Sequence, residues 1–296
     1  MATLRELKGR IGSVKSNEKI TGAMKMISSA KMHKAEAALR KLVPYRNQIQ
    51  LILGHLLSAD ANFSSPLIEA REQIKSVSVV VFGSDDGLCG AYNLTMCKRL
   101  VALIDEYKQE YGNDVKINVL PIGKKVKKLV SKLSIEGVSA NLDIALDTRS
   151  GFDAIRDFTE YVKSLYMNRA TDKIDVLYYH FKSVSKQIIT HEQLLPLTVD
   201  TLVGDDVAVE KNKSYLFEPD ANAIFNTVLP LFVLSAVQEI AGENVASEQA
   251  ARVMAMQSAN DNAKKLLEEL QIVYNKLRQQ GITNELLDIL GGQKRE

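Results

Sequence analysis

"SANDNAKKLLEELQIVYNKL", residues 258–277, carries apolar residues at Ala259, Ala263, Leu266, Leu270, Val273 and Leu277. Steps of four and three alternate through it, the period of a helix that hides one narrow stripe against another helix. Such a stripe needs a cover, and the other end of the chain supplies one. Leu4, Leu7, Ile11 and Val14 step in the same way, and so do Ala35, Ala38, Leu42, Tyr45, Ile49, Ile52 and Leu56. The economical solution pairs the N- and C-terminal helices as a long antiparallel coiled coil. Between the two N-terminal runs, "KITGAMKMISSAK" (19–31) is rich in small residues, with Ile20, Met24 and Ile27 as its larger apolar members. Small side chains there let a second backbone come close. By default Met24, Met26 and Met32 are core packing at helical spacing. The C-terminal helix is expected to start after "FEPDA", with Pro219 and Asp220 as start signals, and to stop at Gly291 and Gly292. Pro230, Gly242 and Gly281 are candidate kinks within it.

In the middle of the chain the period changes. Val77–Phe82, Ile117–Ile122, Ile174–Phe181 and Gln187–Ile189 read as strands, whereas Leu94–Tyr111, Lys124–Leu133 and Phe152–Met167 read as helices. That alternation predicts an α/β domain with a largely parallel sheet, Rossmann-like in its layering only. The strands flanking "KSVSK" (182–186) form the exception, an antiparallel hairpin at the end of the sheet. The expected fold is therefore α/β, a coiled coil of the terminal helices plus a Rossmann-like domain. Its divisions are 1–75 for the N-terminal helix, 76–200 for the domain, and 201–296 for a linker and the C-terminal helix.

Composition narrows the function. A hydrophobic content of 46% with 25% charge suits a protein that buries a core. The longest apolar stretch, Val228–Val237, contains Pro230 and is much shorter than the roughly 20 residues of a bilayer span. Two cysteines, Cys89 and Cys97, form neither a disulfide framework nor a metal pair, which favours a reducing compartment. The N-terminus lacks the apolar segment of a secretory signal. Charge is uneven: through Leu57 eleven positive residues face three negative ones, a net +8 in a chain whose total is +2, so the remainder carries −6. A basic arm of this kind seeks an acidic partner.

Candidate chemical sites are sparse. "SDDGLCGAYN" (84–93) sits at a strand-to-helix junction, where ligands bind in doubly wound sheets. Its glycines match no phosphate-binding fingerprint, no lysine follows, and Asp85 and Asp86 repel phosphate, so it reads as a structural turn. Cys89 as a nucleophile needs an oriented base, and only four histidines exist. His180 and His191 fall opposite each other if the hairpin turns at Ser185 and Lys186. With no third ligand they read as a cross-strand pair on a partly exposed face rather than a zinc site. Lys124, Lys125, Lys127 and Lys128 read as a solvated helix face. Nucleic acid is a weak partner for the basic arm, because only Tyr45 interleaves an aromatic ring with its charges. The remaining classes are a Rossmann-like enzyme dimerised by its helices, a basic coiled-coil scaffold, and a shaft with a domain attached.

Three blocks discriminate among these: "EKITGAMKMISSAKMHKAE" in the first helix, "SDDGLCGAYN" after the first strand, and "ASEQAARVMAMQSANDNAKKLLEELQIVYNKLRQQGITNELLDILGG" in the last helix. Together, and in order along the whole chain, they resemble the gamma subunit of F-type ATP synthase. The resemblance implies a non-catalytic rotor shaft inside a hexamer of alpha and beta subunits. Its foot would stand on the membrane c-ring beside the epsilon subunit, and it would couple proton or sodium flow to ATP synthesis. It implies no cofactor, no metal, no nucleic acid and no small-molecule substrate of its own. The expected location is the cytoplasmic side of the bacterial inner (plasma) membrane, as a peripheral protein. By motif position, Met24 and Lys25 fall at the contact with an acidic loop region of the beta subunits, and Arg252, Gln279, Thr283 and Glu285 fall where the last helix meets their catch loops. Departures from the family pattern are Asp86, where relatives carry arginine, Gln293 in place of alanine, and Pro230, expected to kink the helix near the foot. The chloroplast-type cysteine insert is absent, so thiol control of rotation is not expected.

Overall fold

A computed structural model describes residues 3–58, 63–198, 201–202 and 217–292. Gln293 and the central part of the 201–296 linker lie outside them. Two helices dominate, α1 (Leu4–Leu57) and α5 (Ala221–Gly292). Between them lie β1 (Ser76–Phe82), α2 (Tyr92–Tyr111), β2 (Lys116–Ile122), α3 (Lys124–Val130), β3 (Val138–Ala140), α4 (Phe152–Met167), β4 (Lys173–Ser183) and β5 (Lys186–Leu195). Two compact units result: residues 1–29 with 252–296, and residues 30–251.

In the larger unit the sheet order is β3-β2-β1-β4-β5. β1 pairs in parallel with β2 and with β4, β2 with β3, and β4 and β5 form the antiparallel hairpin. The first four positions follow the strand order of the Rossmann fold, so the likeness extends beyond layering to topology. β1 reads "SVSVVVF" because both of its faces are covered. Val77, Val79 and Val81 face α2 and α3 through Met96, Leu100, Ile104 and Val126. Val80 and Phe82 face α4 through Phe158 and Val162, together with Ile49 and Leu53 of α1 and Phe225 and Leu229 of α5. Short β3 closes one edge. Its three residues carry too little pattern to be seen in the sequence.

The coiled-coil expectation holds, with a shifted seam. In the larger unit Leu39 packs on Gly242 and Arg46 pairs with Glu239, so residue numbers rise along α1 as they fall along α5, and the helices are antiparallel. A Cβ at position 242 would sit 2.7 Å from Leu39 Cδ2, so glycine is what lets the helices approach here. The buried or half-buried positions of α1 in this unit include Ala35, Leu39, Leu42, Arg46, Ile49, Leu53 and Leu56, whereas Ala38, Tyr45 and Ile52 are exposed. In the smaller unit the α5 seam runs through Ala263, Leu267, Leu270, Tyr274 and Leu277, and the expected Leu266 and Val273 are exposed. Each error is a step of one residue between chain neighbours. The facing helix makes the choice.

α5 begins where expected: the Asp220 carboxylate accepts a hydrogen bond from the Ala223 amide at 2.8 Å, an N-cap. It remains one helix through Pro230, Gly242 and Gly281. By length and composition it also holds a window apolar enough to cross a bilayer, which the sequence reading did not anticipate. Phe225, Leu229, Val233 and Val237 of that helix are buried in the protein core.

Candidate functional site

The glycine-containing turn after β1 is a structural knot. Asp85 is buried, and its Oδ1 accepts from the Lys124 amide at the start of α3 (2.9 Å), while Oδ2 accepts from the amide and hydroxyl of Thr148 (2.9 and 2.7 Å). Burial pushes the Asp85 carboxyl up, but the hydrogen bonds from Thr148 and Lys124 outweigh it and hold the carboxyl below its ordinary range. The chain's own carboxylate thus occupies the α3 amide that an anion would seek. Asn93 Oδ1 accepts from the Ser84 amide at 3.0 Å, and its Nδ2 donates to Ser84 Oγ at 2.7 Å. Cys89 is 4% exposed, with its sulfur beside Ser84 and Asn93. Gly83 has no room for a side chain, since a Cβ would lie 2.6 Å from Val126 Cβ. Asp86 pairs with Arg149 across the surface, so the loop before α4 supplies the opposite charge.

The knot is fastened to α5. Asn244, 1% exposed, donates from Nδ2 to the Gly83 carbonyl (2.9 Å) and accepts at Oδ1 from the Tyr92 hydroxyl (2.7 Å). One turn further, Ser247 Oγ donates to the Tyr179 carbonyl (3.0 Å), and the Tyr179 hydroxyl donates to the Tyr92 carbonyl (3.0 Å). Tyr92 and Tyr179 stack with ring centroids 4.1 Å apart. On the opposite face of the sheet, both oxygens of Glu243 lie 2.9 and 3.0 Å from His180 Nδ1. Burial raises the Glu243 carboxyl above its usual value, partly offset by His180. Helix and α/β domain are therefore joined by directional buried bonds as well as apolar packing. Sequence reading missed this bracket, because its partners lie up to 161 positions apart.

The histidine expectation fails. The hairpin turns at Val184 and Ser185, and a register shift between Phe181 and Ser183 then sets His180 opposite Ile188 and His191 opposite Leu177, on different faces of the sheet. His191 Nε2 instead lies 2.9 Å from Asp175 Oδ2, which also accepts from the Tyr107 hydroxyl. Among the described residues no group of three His, Cys, Asp or Glu side chains is arranged to hold a metal.

In the smaller unit the seam of α1 runs through Leu7, Ile11, Val14, Glu18, Thr21, Lys25 and Ser28. Asn260 of α5 donates to the Glu18 carbonyl (2.7 Å) and to Thr21 Oγ1 (3.3 Å), and Gly22 lies close against it. Between Glu18 and Ser28 the inner face of α1 is thus polar and small, whereas Leu7, Ile11 and Val14 form an apolar seam before it. The larger residues turn outward: Met26 is 69% exposed, against the core role expected for it, and Ile20 and Ile27 are also exposed. Ile272, Ile282, Leu286, Leu287, Ile289 and Leu290 are exposed on α5. Of the six residues singled out by motif position, Met24 and Lys25 are half-buried, Arg252 is buried at 5%, and Gln279, Thr283 and Glu285 are exposed. The Thr283 hydroxyl donates to the Gln279 carbonyl at 2.9 Å, so these two share one turn.

Comparison with known proteins decides the family. The family profile described as ATP synthase matches residues 3–294. The ATP synthase gamma chain of Phocaeicola vulgatus is 40% identical over 295 residues, covering 99% of each chain. That of Parabacteroides distasonis is 38% identical over 293 residues, covering 99% of this chain and 98% of that one. The chain belongs to the gamma chains of ATP synthase. A chain from the mitochondrial ATP synthase of Euglena gracilis, in a structure containing F1 and the c-ring, superposes with a TM-score of 0.60 at 23% identity, over 98% of this chain and 93% of that one. A chain of the Tetrahymena thermophila central stalk and c-ring gives 0.56 at 24% identity, over 81% of this chain and 99% of that one. The gamma fold, paired terminal helices with an α/β domain between them, is the one described above.

Proposed function

We propose that this gamma chain is the central rotor shaft of an F-type ATP synthase, coupling proton or sodium flow to ATP synthesis and regulating ATP hydrolysis without performing chemistry itself. The observation that carries the reading is the exposed apolar surface of the smaller unit. There residues 18–28 of α1 turn polar and small side chains inward, and Ile20, Met26, Ile27, Ile282, Leu286 and Leu290 are exposed. Exposed apolar side chains in such number call for a surrounding sleeve. In this reading the alpha/beta hexamer is that sleeve, with Met24, Lys25, Arg252, Gln279, Thr283 and Glu285 as contact residues. The epsilon subunit and the membrane c-ring are partners at the foot. The complex stands at the bacterial inner membrane with this chain peripheral on the cytoplasmic side. Residues 1–75 and 201–296 serve as the two strands of the shaft, and 76–200 as the attached domain. The basic N-terminal helix suits an acidic bearing, because diffuse attraction holds surfaces together while individual contacts exchange cheaply.

The test is reconstitution of the full chain with isolated alpha and beta subunits, following complex mass and ATPase activity together. One copy per hexamer, with turnover activated and none from the chain alone, is the expected result. A chain that stays apart, or that turns over a nucleotide by itself, overturns the reading in favour of a Rossmann-like enzyme.

A further inference from the structure

One small cavity in the 30–251 unit gathers more negative charge than it neutralises. Its volume is about 170 Å³, and it is lined by Arg46 of α1, Glu239 and Glu243 of α5, Tyr178 and His180 of β4, and Glu192 of β5. Arg46 pairs with Glu239, and the Tyr178 hydroxyl donates to Glu192 at 3.0 Å. Burial pushes the Tyr178 phenol up, and the Glu192 charge adds to it, so this hydroxyl stays a donor at any ordinary pH. Glu243 faces His180, whose Nδ1 lies 2.9 and 3.0 Å from its two oxygens.

Three carboxylates against one guanidinium give the cavity two net negative charges, and one proton added to the Glu243–His180 pair halves that excess. The surroundings favour keeping it. Burial holds the Glu243 carboxyl above its usual value; His180 opposes this, while the charges of Glu239 and Glu192 raise it further. The proton belongs to the pair, as imidazolium with carboxylate or imidazole with carboxylic acid, and in both forms it sits between Nδ1 and the oxygens. Its release leaves a neutral imidazole, which either donates without charge assistance or turns a lone pair towards the carboxylate. The His180 side chain is 46% exposed and that of Glu243 13%, so the proton reaches water through the imidazole without opening the core.

We propose that the Glu243–His180 pair is a proton-operated clamp, which locks α5 to β4 while it holds the shared proton and loosens that turn of α5 from the sheet when the proton leaves. The next residue, Asn244, carries the bonds to Gly83 and Tyr92, so the clamp acts on the turn of helix that fastens the α/β domain. The proposal rests on the fold of the chain and stands apart from the rotor reading.

A carboxyl whose folded value is raised contributes stability that is present below its ordinary 4.5 and lost as pH rises through the raised value. The experiment is urea denaturation of the full chain in steps from about pH 5 to about pH 9, for wild type, Glu243→Gln and Glu192→Gln. Glu243→Gln is expected to gain on wild type steadily as pH rises. Glu192→Gln, at an exposed position, is expected to keep the wild-type fall but move it to lower pH, since one of the charges that hold the proton is gone. A contact with only a structural role shifts stability equally at every pH. Hydrogen exchange of β4, compared between chains at a single pH so that intrinsic rates cancel, is expected to be faster in wild type than in Glu243→Gln at about pH 8, with the difference shrinking at about pH 5. Parallel profiles for wild type and Glu243→Gln, a Glu243→Gln chain that loses ground to wild type as pH rises, or a Glu192→Gln profile that does not move overturns the proposal. If Glu243→Gln does not fold, the Glu192→Gln profile decides by itself.

Discussion

Replacing Asn244 with leucine tests whether helix α5 and the α/β domain are joined by directional bonds. Both side chains branch at Cγ and carry the same number of heavy atoms, so the change removes polarity while keeping the branched shape. Two buried groups lose their partner: the Gly83 carbonyl, which accepts from Nδ2 at 2.9 Å, and the Tyr92 hydroxyl, which donates to Oδ1 at 2.7 Å. The hydroxyl keeps a weaker alternative in the Asn244 backbone carbonyl at 3.1 Å, so most of the loss falls on Gly83. A stranded buried polar group costs about 1–3 kcal/mol, which places the destabilisation of Asn244→Leu at about 3 kcal/mol. Urea denaturation followed by circular dichroism and tyrosine fluorescence measures it, since the chain has 10 tyrosines and no tryptophan. Tyr92→Phe supplies the second edge of a double-mutant cycle. In the wild-type background it is expected to cost about 1 kcal/mol, and in the Asn244→Leu background close to nothing. An Asn244→Leu cost under about 1 kcal/mol, or additive effects of the two changes, refutes the bracket as a source of rigidity.

Gly83→Ala forces a Cβ to within 2.6 Å of Val126, so it is expected to destabilise by about 2 kcal/mol, with most of that loss recovered by adding Val126→Ala; thermal unfolding of the pair checks it. Asp85→Asn removes a carboxylate whose folded value lies below its ordinary 3.8. Its contribution, about 2 kcal/mol for charge-assisted hydrogen bonds, is present above pH 3.8 and lost as pH falls through the lowered folded value, so the wild-type and variant stabilities converge in acid; denaturation across that range reads the gap. Gln279→Ala, at an exposed position, is expected to leave stability within about 0.5 kcal/mol while lowering the ATPase turnover of the reconstituted complex. Buried Arg252→Ala is expected to lower both, and normal turnover in an assembled Gln279→Ala complex argues against the contact.

The sequence by itself determined the kinds of element and their order. Heptad spacing at both ends, continuous apolar strands such as "SVVVF" (78–82), and the Asp220 cap are local signals, and each was legible because its physics operates within a few residues. The resemblance carried by "SDDGLCGAYN" and the C-terminal block was likewise readable in linear order, as was the structural role of the turn, since Asp85 and Asp86 exclude phosphate by charge alone.

Tertiary structure decided everything that depends on which of two adequate residues faces a partner. Leu267 rather than Leu266, and Tyr274 rather than Val273, enter the seam because the opposing helix sets the phase. A hairpin turn one residue earlier than expected moved His180 away from His191, and the register shift between Phe181 and Ser183 sent them to opposite faces, because strand side chains alternate with period two. The Asp86–Arg149 pair and the Asn244 bracket are assembled from residues far apart in the chain. Local pattern carries no record of such meetings, because the free energy that selects them comes from burial and hydrogen bonding that exist only once the chain has folded.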